Sequence, residues 1–301
     1  FPNVFDENKK LVLLQMQFDY GKLVNNIFYK GSYIQKYNDI DSFLVRLPFL
    51  PLVTSYIGKL TLNIYFFLII KNIIFFSIYY LSVVLFVKSQ KKTNDIIYLF
   101  ILLSIYFYNF YNTSTTFNFF FSDSYISIIL PSIFLLLISE NKHRYLLIAF
   151  LLFCLYLTKS SMFFVCMICP IMFFLIEKEF NFVKRALPII FVLIAVISWG
   201  TFGVLKTGKF PFASTLSSVN QEGLSRILND DFKNYYPKKS VDLIPFNKIE
   251  KTLNNEWEYF YLYKKNNLDF IKNNPKEFIY GIILKTKFIL LNFRKDGVFP
   301  D

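Results

Sequence analysis

Acidic and basic side chains near the start of the chain are the residues whose types and spacing best fit chemistry. The carboxylates Asp6, Glu7 and Asp19 precede an Arg-x-Pro-x-x-Pro segment at residues 46–51. A carboxylate can accept a proton as a general base, and the planar guanidinium of Arg46 can bind anionic oxygens through paired hydrogen bonds. The proline rings restrict the backbone and would hold that arginine in place. We therefore expect a functional site at this polar lead-in.

The composition sets the class of protein in which that site must work. The 301 residues are 54% hydrophobic and 21% aromatic, with a mean hydropathy of +0.41. These values exceed what the core of a soluble domain needs and indicate an integral membrane protein with several spans. The net charge of +12 could suggest nucleic-acid binding. The lysines form no stripe, however, and several lie in short loops between apolar runs, so we expect no nucleic-acid partner.

Apolar runs of roughly the length that crosses a bilayer, about 17–25 residues, follow the lead-in. They cover residues 60–87, 96–112, 121–139, 145–158, 161–176, 186–205 and 277–293. Those at 145–158 and 161–176 are short, which indicates tilted or re-entrant helices or a tight hairpin. Lys71 interrupts the first run, and two lysines interrupt the last. A charge inside a span is costly, so Lys71 is either functional or paired with a carboxylate.

Basic residues alternate between the loops and so predict the orientation of the chain. They concentrate in every second loop, at Lys88, Lys91, Lys92, Lys142, Arg144, Lys178, Lys184 and Arg185. Because basic loops stay in the cytoplasm, residues 113–122 and the turn at Lys159 should face outward. Four segments are then predicted: an outer, periplasmic loop with interfacial helices at 1–59, membrane helices at 60–205, an outer loop at 206–276, and a further span with a cytoplasmic end at 277–301.

A short amphipathic helix is predicted within the lead-in. Its apolar residues recur at helical spacing, at Leu23, Val24, Ile27 and Phe28, with polar residues between them. Such a helix suits the membrane interface. Gly31 follows and is expected to be the C-terminal cap, because glycine readily adopts the left-handed conformation that ends helices.

Several short motifs occur in order along the chain. They are Asp19-Tyr20, Leu23-Val24-x-Asn26-Ile27, Gly31-Ser32-Tyr33, Arg46-x-Pro48-x-x-Pro51, Ser122-Asp123, Leu157-Thr158-Lys159 and Asn274-Pro275. This order resembles that of the GT-C membrane glycosyltransferases, in particular the bacterial aminoarabinose- and mannosyl-transferase-like families. The resemblance implies an all-α, GT-C-like fold in the bacterial inner (plasma) membrane, with the active site on the periplasmic face. It also implies that the chain is a fragment lacking the first membrane helix and the C-terminal part.

The resemblance further implies transfer of a sugar from a polyprenyl-phosphate donor to a lipid, glycan or protein of the cell envelope. Asp19 would accept the proton of the acceptor, and Asp123 would orient the substrate. Arg46 and Lys159 would bind the phosphate of the donor. Beyond the lipid-linked donor no cofactor is expected, although a divalent metal could assist.

Departures from the family pattern leave alternatives open. Gln15-Met16-Gln17 occupies the place of the family's acidic pair. The base could therefore be Asp6 or Glu7 instead, or activity could have been lost. The assigned residues also have ordinary structural explanations, since Arg46 could anchor the chain at the interface and Asp123 could cap its own helix.

The remaining chemistry-bearing residues predict no metal site. Cys166 and Cys169 have Cys-x-x-Cys spacing, but no second cysteine pair follows and the only histidine is His143. The alternative functions are a flippase or transporter of lipid-linked sugars, or a non-catalytic membrane protein. A transporter predicts broken helices and ionisable residues deep in the spans, related by an internal repeat, and the sequence contains no such repeat.

Overall fold

Helices form most of the protein. The computed structural model describes residues 18–37, 40–61, 64–89, 103, 122–141, 143–177, 181–215, 255–276, 278–280 and 282–283, and 81% of these are helical. The expected helical class is therefore confirmed. A small two-stranded sheet, β1 (Gln35–Tyr37) and β2 (Ile40–Ser42), was not predicted.

The chain divides into two units. The first consists of residues 1–35 and 46–213, and the second of residues 36–45 and 214–301. The first unit therefore combines part of the polar lead-in with the apolar helices. The assignment of segments 1–59, 60–205, 206–276 and 277–301 to the two sides of a membrane stays a prediction.

Seven helices make up the first unit within the described residues. They are α1 (Phe18–Lys30), α2 (Phe49–Thr61), α3 (Ile64–Ser89), α4 (Ser122–Ile138), α5 (Arg144–Tyr156), α6 (Phe163–Ile176) and α7 (Phe182–Thr207). Helices α3 to α7 coincide with the apolar runs predicted at 60–87, 121–139, 145–158, 161–176 and 186–205. The run at 96–112, apart from residue 103, and most of that at 277–293 lie outside the described residues.

Helix α1 is the amphipathic helix expected in the lead-in. Its apolar residues Leu23, Val24 and Ile27 are buried, and α1 packs against α2. Gly31 ends the helix in the left-handed region, at φ 62°, and its N–H donates to the Ile27 carbonyl at 3.1 Å. This 5→1 hydrogen bond is that of an αL cap, and the next N–H, that of Ser32, donates to the Asn26 carbonyl at 3.3 Å. The predicted cap is confirmed.

Helices α3 and α4 lie side by side and run in the same direction. Phe75, near the middle of α3, packs edge-on against Tyr125 in the first turn of α4, with 4.7 Å between the ring centroids. Near their ends, the Ser139 hydroxyl donates to the Leu85 carbonyl at 3.0 Å. Two helices that run in parallel require the intervening chain to return to the starting end.

Helices α5 and α6 form a hairpin that closes on a tight turn. The Leu157 and Thr158 amides donate to carbonyls in the last turn of α5, and a 3₁₀ turn at Ser160–Met162 leads into α6. The predicted tight hairpin is present, whereas a tilted or re-entrant position in a membrane stays a prediction. Helix α5 is the most enclosed helix of the unit, with Ile148, Ala149, Leu151, Leu152 and Leu155 fully buried.

The chain folds back on itself after α7. Gly208 ends the helix with φ 74°, and residues 209–213 then return along its last turns. A Cβ atom at Gly200 would lie 2.0 Å from the Phe210 ring, and one at Gly203 would lie 2.2 Å from Cδ of Pro211. Glycine is therefore required at position 203, where the rigid Pro211 ring cannot move away. The Trp199 indole N–H donates to the Ala213 carbonyl at 3.2 Å and fixes the returned segment.

Two described helices are long and apolar enough to cross a membrane. They are Ile69–Ser89 within α3, and α7. Only 33% and 39% of their apolar windows are buried, and large apolar side chains such as Ile73, Leu193 and Ile197 are exposed. Helices α4, α5 and α6 are also apolar but shorter. The length and the exposed apolar surface of α3 and α7 suit a bilayer environment.

The second unit contains the sheet and helix α8 (Glu256–Asn273). Asn255 caps α8, because its side-chain oxygen accepts from the amides of Trp257 and Glu258 at 3.1 Å each. Its side-chain nitrogen donates to the Glu258 carboxylate at 2.8 Å. This pairing differs from a capping box, in which the carboxylate accepts from the backbone N–H of the capping residue. Asn274 ends α8, and its carbonyl accepts from the Phe278 amide at 3.0 Å.

Candidate functional site

Phe49 joins three of the segments that carry the predicted site residues. Its backbone N–H donates to the carbonyl of Leu157 at 3.0 Å, which ties the Arg-x-Pro-x-x-Pro segment to the turn before Lys159. Its ring meets Tyr125 edge-on, with 6.1 Å between the centroids. The start of α2, the start of α4 and the end of α5 therefore lie together. We call this the motif end of the first unit.

The opposite end of the first unit carries Arg144, Glu177 and Arg185, and we call it the basic end. Arg144 is buried, forms an ion pair with Glu177 at the end of α6, and donates to the Leu137 carbonyl at 3.2 Å. Arg185, in the first turn of α7, donates to the Phe174 carbonyl through Nε at 3.2 Å. The loops that the basic residues assigned to one side therefore meet at one end of the helices.

Tyr125 is the central side chain of the motif end. It is 1% exposed, and its ring contacts Phe49 from α2 and Phe75 from α3. Its hydroxyl lies beside Thr54 of α2. The ammonium of Lys71 lies over its ring, 5.1 Å from the centroid. Tyr125 thus links α2, α3 and α4 at the level where the predicted site residues lie.

Arg46 lies directly before this junction. Its carbonyl accepts a hydrogen bond from the Tyr33 hydroxyl at 2.7 Å, and the Tyr33 ring packs edge-on against Trp199 and Phe202 of α7. The Arg46 side chain is half-buried, with Nε fully enclosed. Its backbone is therefore held by α7 through Tyr33 as well as by the prolines that follow.

Lys159 lies in the turn between α5 and α6. The turn is held from within, since the Thr158 hydroxyl donates to the Cys154 carbonyl at 2.6 Å and the Met162 amide donates to the Lys159 carbonyl at 3.0 Å. Lys159 has an extended backbone and a half-buried side chain. A second tie comes from Tyr156, whose hydroxyl donates to the Phe212 carbonyl. The turn is therefore a fixed position for a cation.

The structure describes the predicted acidic site residues less completely than it describes Arg46 and Lys159. Asp123 is the second residue of α4, two positions before Tyr125, and Asp19 is the second residue of α1; the structure describes only their backbones. Asp6 and Glu7 lie outside the described residues. The structure thus brings together the segments of Arg46, Asp123 and Lys159, while the choice of base stays a prediction.

Glu256 has a buried, hydrogen-bonded carboxylate that the sequence analysis did not identify. It is 5% exposed, and its carboxylate accepts from the amides of Phe43 at 3.1 Å and Leu44 at 2.9 Å. The Thr215 hydroxyl donates to it at 3.4 Å, and the Thr215 amide donates to the Leu44 carbonyl at 2.9 Å. Burial raises the carboxyl pKa of Glu256 above its ordinary value, and these hydrogen bonds oppose that shift. Within the second unit this carboxylate joins three segments that are far apart in sequence.

The described residues contain no cluster of three or more histidine, cysteine, aspartate or glutamate side chains that could hold a metal ion. Cys154 and Cys166 are buried free thiols, and Cys169 is half-buried. No family model, curated protein or solved structure matches the chain. The functional assignment therefore rests on the motifs and on the geometry of the motif end.

Proposed function

We propose that this protein is an integral membrane glycosyltransferase with a GT-C-like fold. It transfers a sugar from a polyprenyl-phosphate donor to a lipid, glycan or protein of the cell envelope, on the outer face of the bacterial inner (plasma) membrane. The main support is the junction at Phe49, which ties the segments of Arg46 and Lys159 together by a hydrogen bond of 3.0 Å and packs against the start of α4. Motifs that are far apart in sequence thereby share one location.

The arrangement of the helices supports a protein with several spans. Helices α3 and α4 run in the same direction, as two membrane helices do when a single span lies between them in sequence, and the sequence predicts one at 96–112. The motif end gathers the loops predicted to face outward, and the basic end gathers those predicted to face the cytoplasm. The exposed apolar surfaces of α3 and α7 suit lipid contact.

In the proposed reaction, an acceptor hydroxyl or amine attacks the anomeric carbon of the donor sugar. The bond between that carbon and the phosphate oxygen breaks, and polyprenyl phosphate leaves with the bonding electrons. Asp19, or alternatively Asp6 or Glu7, takes the proton of the acceptor. Arg46 and Lys159 stabilise the negative charge that develops on the departing phosphate.

One observation favours the alternative of a transporter or flippase for lipid-linked sugars. Lys71 lies inside α3 and is only 4% exposed, and buried ionisable residues in spans often line transport pathways. A transporter would move the lipid-linked sugar without breaking its sugar–phosphate bond. Chemical turnover of the donor therefore separates the two functions.

A transfer assay on the full chain in lipid nanodiscs tests the proposal. The donor is a radiolabelled polyprenyl-phosphate sugar, and the acceptors are the lipid, glycan and protein fractions of bacterial envelopes. R46A and K159A should each lower kcat/KM about 100-fold, because each removes a charge that stabilises the leaving phosphate. K88A is the matched control, because Lys88 is an exposed lysine at the end of α3, and it should retain full activity.

The same assay assigns the base. D19N should abolish turnover with little change in donor affinity if Asp19 accepts the proton, and unchanged turnover would transfer that role to Asp6 or Glu7. If wild-type protein carries donor across the bilayer of proteoliposomes but releases no polyprenyl phosphate with any acceptor, the glycosyltransferase proposal is wrong and the transporter is favoured.

A further inference from the structure

Lys71 lies in the apolar helix α3, close to the motif end. It is about 10 Å from the start of α3 at about 1.5 Å per residue, and side chains on a helix lean towards its N-terminus. The ammonium lies over the ring of Tyr125, in the first turn of α4, 5.1 Å from the centroid.

The ring beneath the Lys71 ammonium belongs to a cluster of aromatic side chains. Tyr125, on which the ammonium rests, also contacts Phe75 at 4.7 Å and Phe49 at 6.1 Å between ring centroids. A cation over an aromatic face is attracted to the negative face of the ring, and more strongly where water is excluded. Lys71 is 4% exposed and Tyr125 is 1% exposed, so water is excluded from this contact.

A chain of three contacts therefore leads from Lys71 to the predicted phosphate-binding residues. The ammonium holds the Tyr125 ring, the ring holds Phe49, and the Phe49 amide holds the Leu157 carbonyl beside Lys159. A charged residue inside an apolar span is functional more often than it is structural.

We propose that Lys71 is a positioning residue, whose ammonium fixes the Tyr125 ring so that the start of α2 and the turn before Lys159 keep the spacing needed to bind an anionic lipid phosphate. This inference rests on the proposed function for the identity of the ligand. It assigns Lys71 no contact with the sugar.

The test uses the full chain in nanodiscs, polyprenyl phosphate as the binding probe, and the variants K71M, K71R, Y125L and K71M/Y125L. K71M should weaken phosphate binding and raise the KM for the donor about tenfold. K71R should restore affinity, because arginine also binds an aromatic face. K59M is the matched control, since the exposed Lys59 lies over Phe28 and Tyr56 at 5.8 and 5.7 Å, and it should bind as wild type does.

The double variant decides whether Lys71 acts through Tyr125. In a Y125L background, K71M should have no further effect on affinity, because the ring that transmits the effect is gone. Additive losses would overturn the inference and make Lys71 a direct ligand of the phosphate. Unchanged affinity in K71M, or no binding of polyprenyl phosphate by wild type, would also overturn it.

Failure of the proposed function gives a different pattern. If wild-type protein binds polyprenyl phosphate and K71M weakens that binding, but no sugar is transferred, the positioning role holds and the glycosyltransferase assignment fails. If sugar is transferred and K71M binds and reacts as wild type does, the assignment holds and the role of Lys71 fails.

Discussion

The buried carboxylate of Glu256 accepts a hydrogen bond from the backbone N–H of Leu44 at 2.9 Å, across 212 residues of sequence. The neighbouring amide of Phe43 donates to the other carboxylate oxygen at 3.1 Å. Backbone amides that follow a short edge strand have no partner in a sheet and must be satisfied in another way. Glu256 satisfies two of them and fastens α8 to the segment after β2.

Replacing Glu256 should therefore destabilise the second unit. E256A leaves the Phe43 and Leu44 amides without their acceptor, and each buried donor left unsatisfied costs about 1–3 kcal/mol. E258A is the matched control in the same helical turn and should cost only about 1 kcal/mol, the usual value of a cap contact. Chemical denaturation followed by circular dichroism measures both; equal losses in the two variants would contradict the anchoring role of Glu256.

The same carboxyl predicts a dependence of stability on pH. Because its pKa is raised in the folded protein, the folded state holds the proton more tightly than the unfolded chain does. The resulting stabilisation is complete below the ordinary pKa of 4.5 and is lost as the pH rises through the raised value. The melting temperature of wild type should thus fall relative to that of E256Q as the pH is raised from 4.5. A constant difference across that series would contradict the shift.

Gly203 should tolerate no side chain. Alanine normally stabilises a helix by about 0.5–1 kcal/mol relative to glycine, but here its Cβ would lie 2.2 Å from the rigid ring of Pro211. We expect G203A to lower the unfolding free energy by about 1–3 kcal/mol, the usual cost of overpacking. G200A is the comparison, because the Phe210 ring that it would meet is 40% exposed and can swing away. Thermal unfolding should therefore rank G203A below G200A, and the reverse order would argue against a fixed return segment.

The ion pair at the basic end should show strong coupling. R144M leaves the mostly buried Glu177 carboxylate without its partner and should cost about 3–5 kcal/mol, whereas R144M/E177L removes both charges and should cost much less. A double-mutant cycle on melting temperatures measures the difference. Equal losses for the single and double variants would mean that the pair is not coupled.

The proposed orientation can be read from labelling in intact cells. In a background in which Cys154, Cys166 and Cys169 are replaced, D41C should react with a membrane-impermeant maleimide, because residues 1–59 are predicted to face outward. E140C should react only after the membrane is permeabilised. Both side chains are exposed in the structure. Labelling of E140C in intact cells would reverse the orientation.

Helices α1 and α3 to α7 could be predicted from the sequence because their signals are local. Leu23, Val24 and Ile27 mark the buried side of α1 and Gly31 its end, and charged loops separate the apolar runs of α3 to α7. Strands of three residues carry too little periodicity to be recognised, so β1 and β2 were missed. Helix α2 was also missed as a separate element, because its apolar sequence continues into that of α3.

The candidate site could be predicted only in part, because some of its contacts join residues that are distant in sequence. Motif spacing pointed to Arg46 and Lys159, since these residues lie in polar breaks between apolar runs. Tyr125 and Phe49 gave no signal, because aromatic residues are common throughout this chain and only their contacts distinguish them. Glu256 depends on partners more than 200 positions earlier, and no local pattern shows such a pairing.

Helices α5 and α6 contain 13 and 14 residues, which is about 20 Å of helix. The hydrocarbon core of a bilayer is about 30 Å thick, so the hairpin carries a hydrophobic mismatch of about 10 Å. In a membrane, either the lipid thins around the hairpin or the turn at Lys159 lies beneath the surface. If the proposed function holds, thinning of the lipid brings the phosphate of a prenyl lipid level with Lys159, whereas a turn beneath the surface requires that phosphate to be drawn below its usual depth.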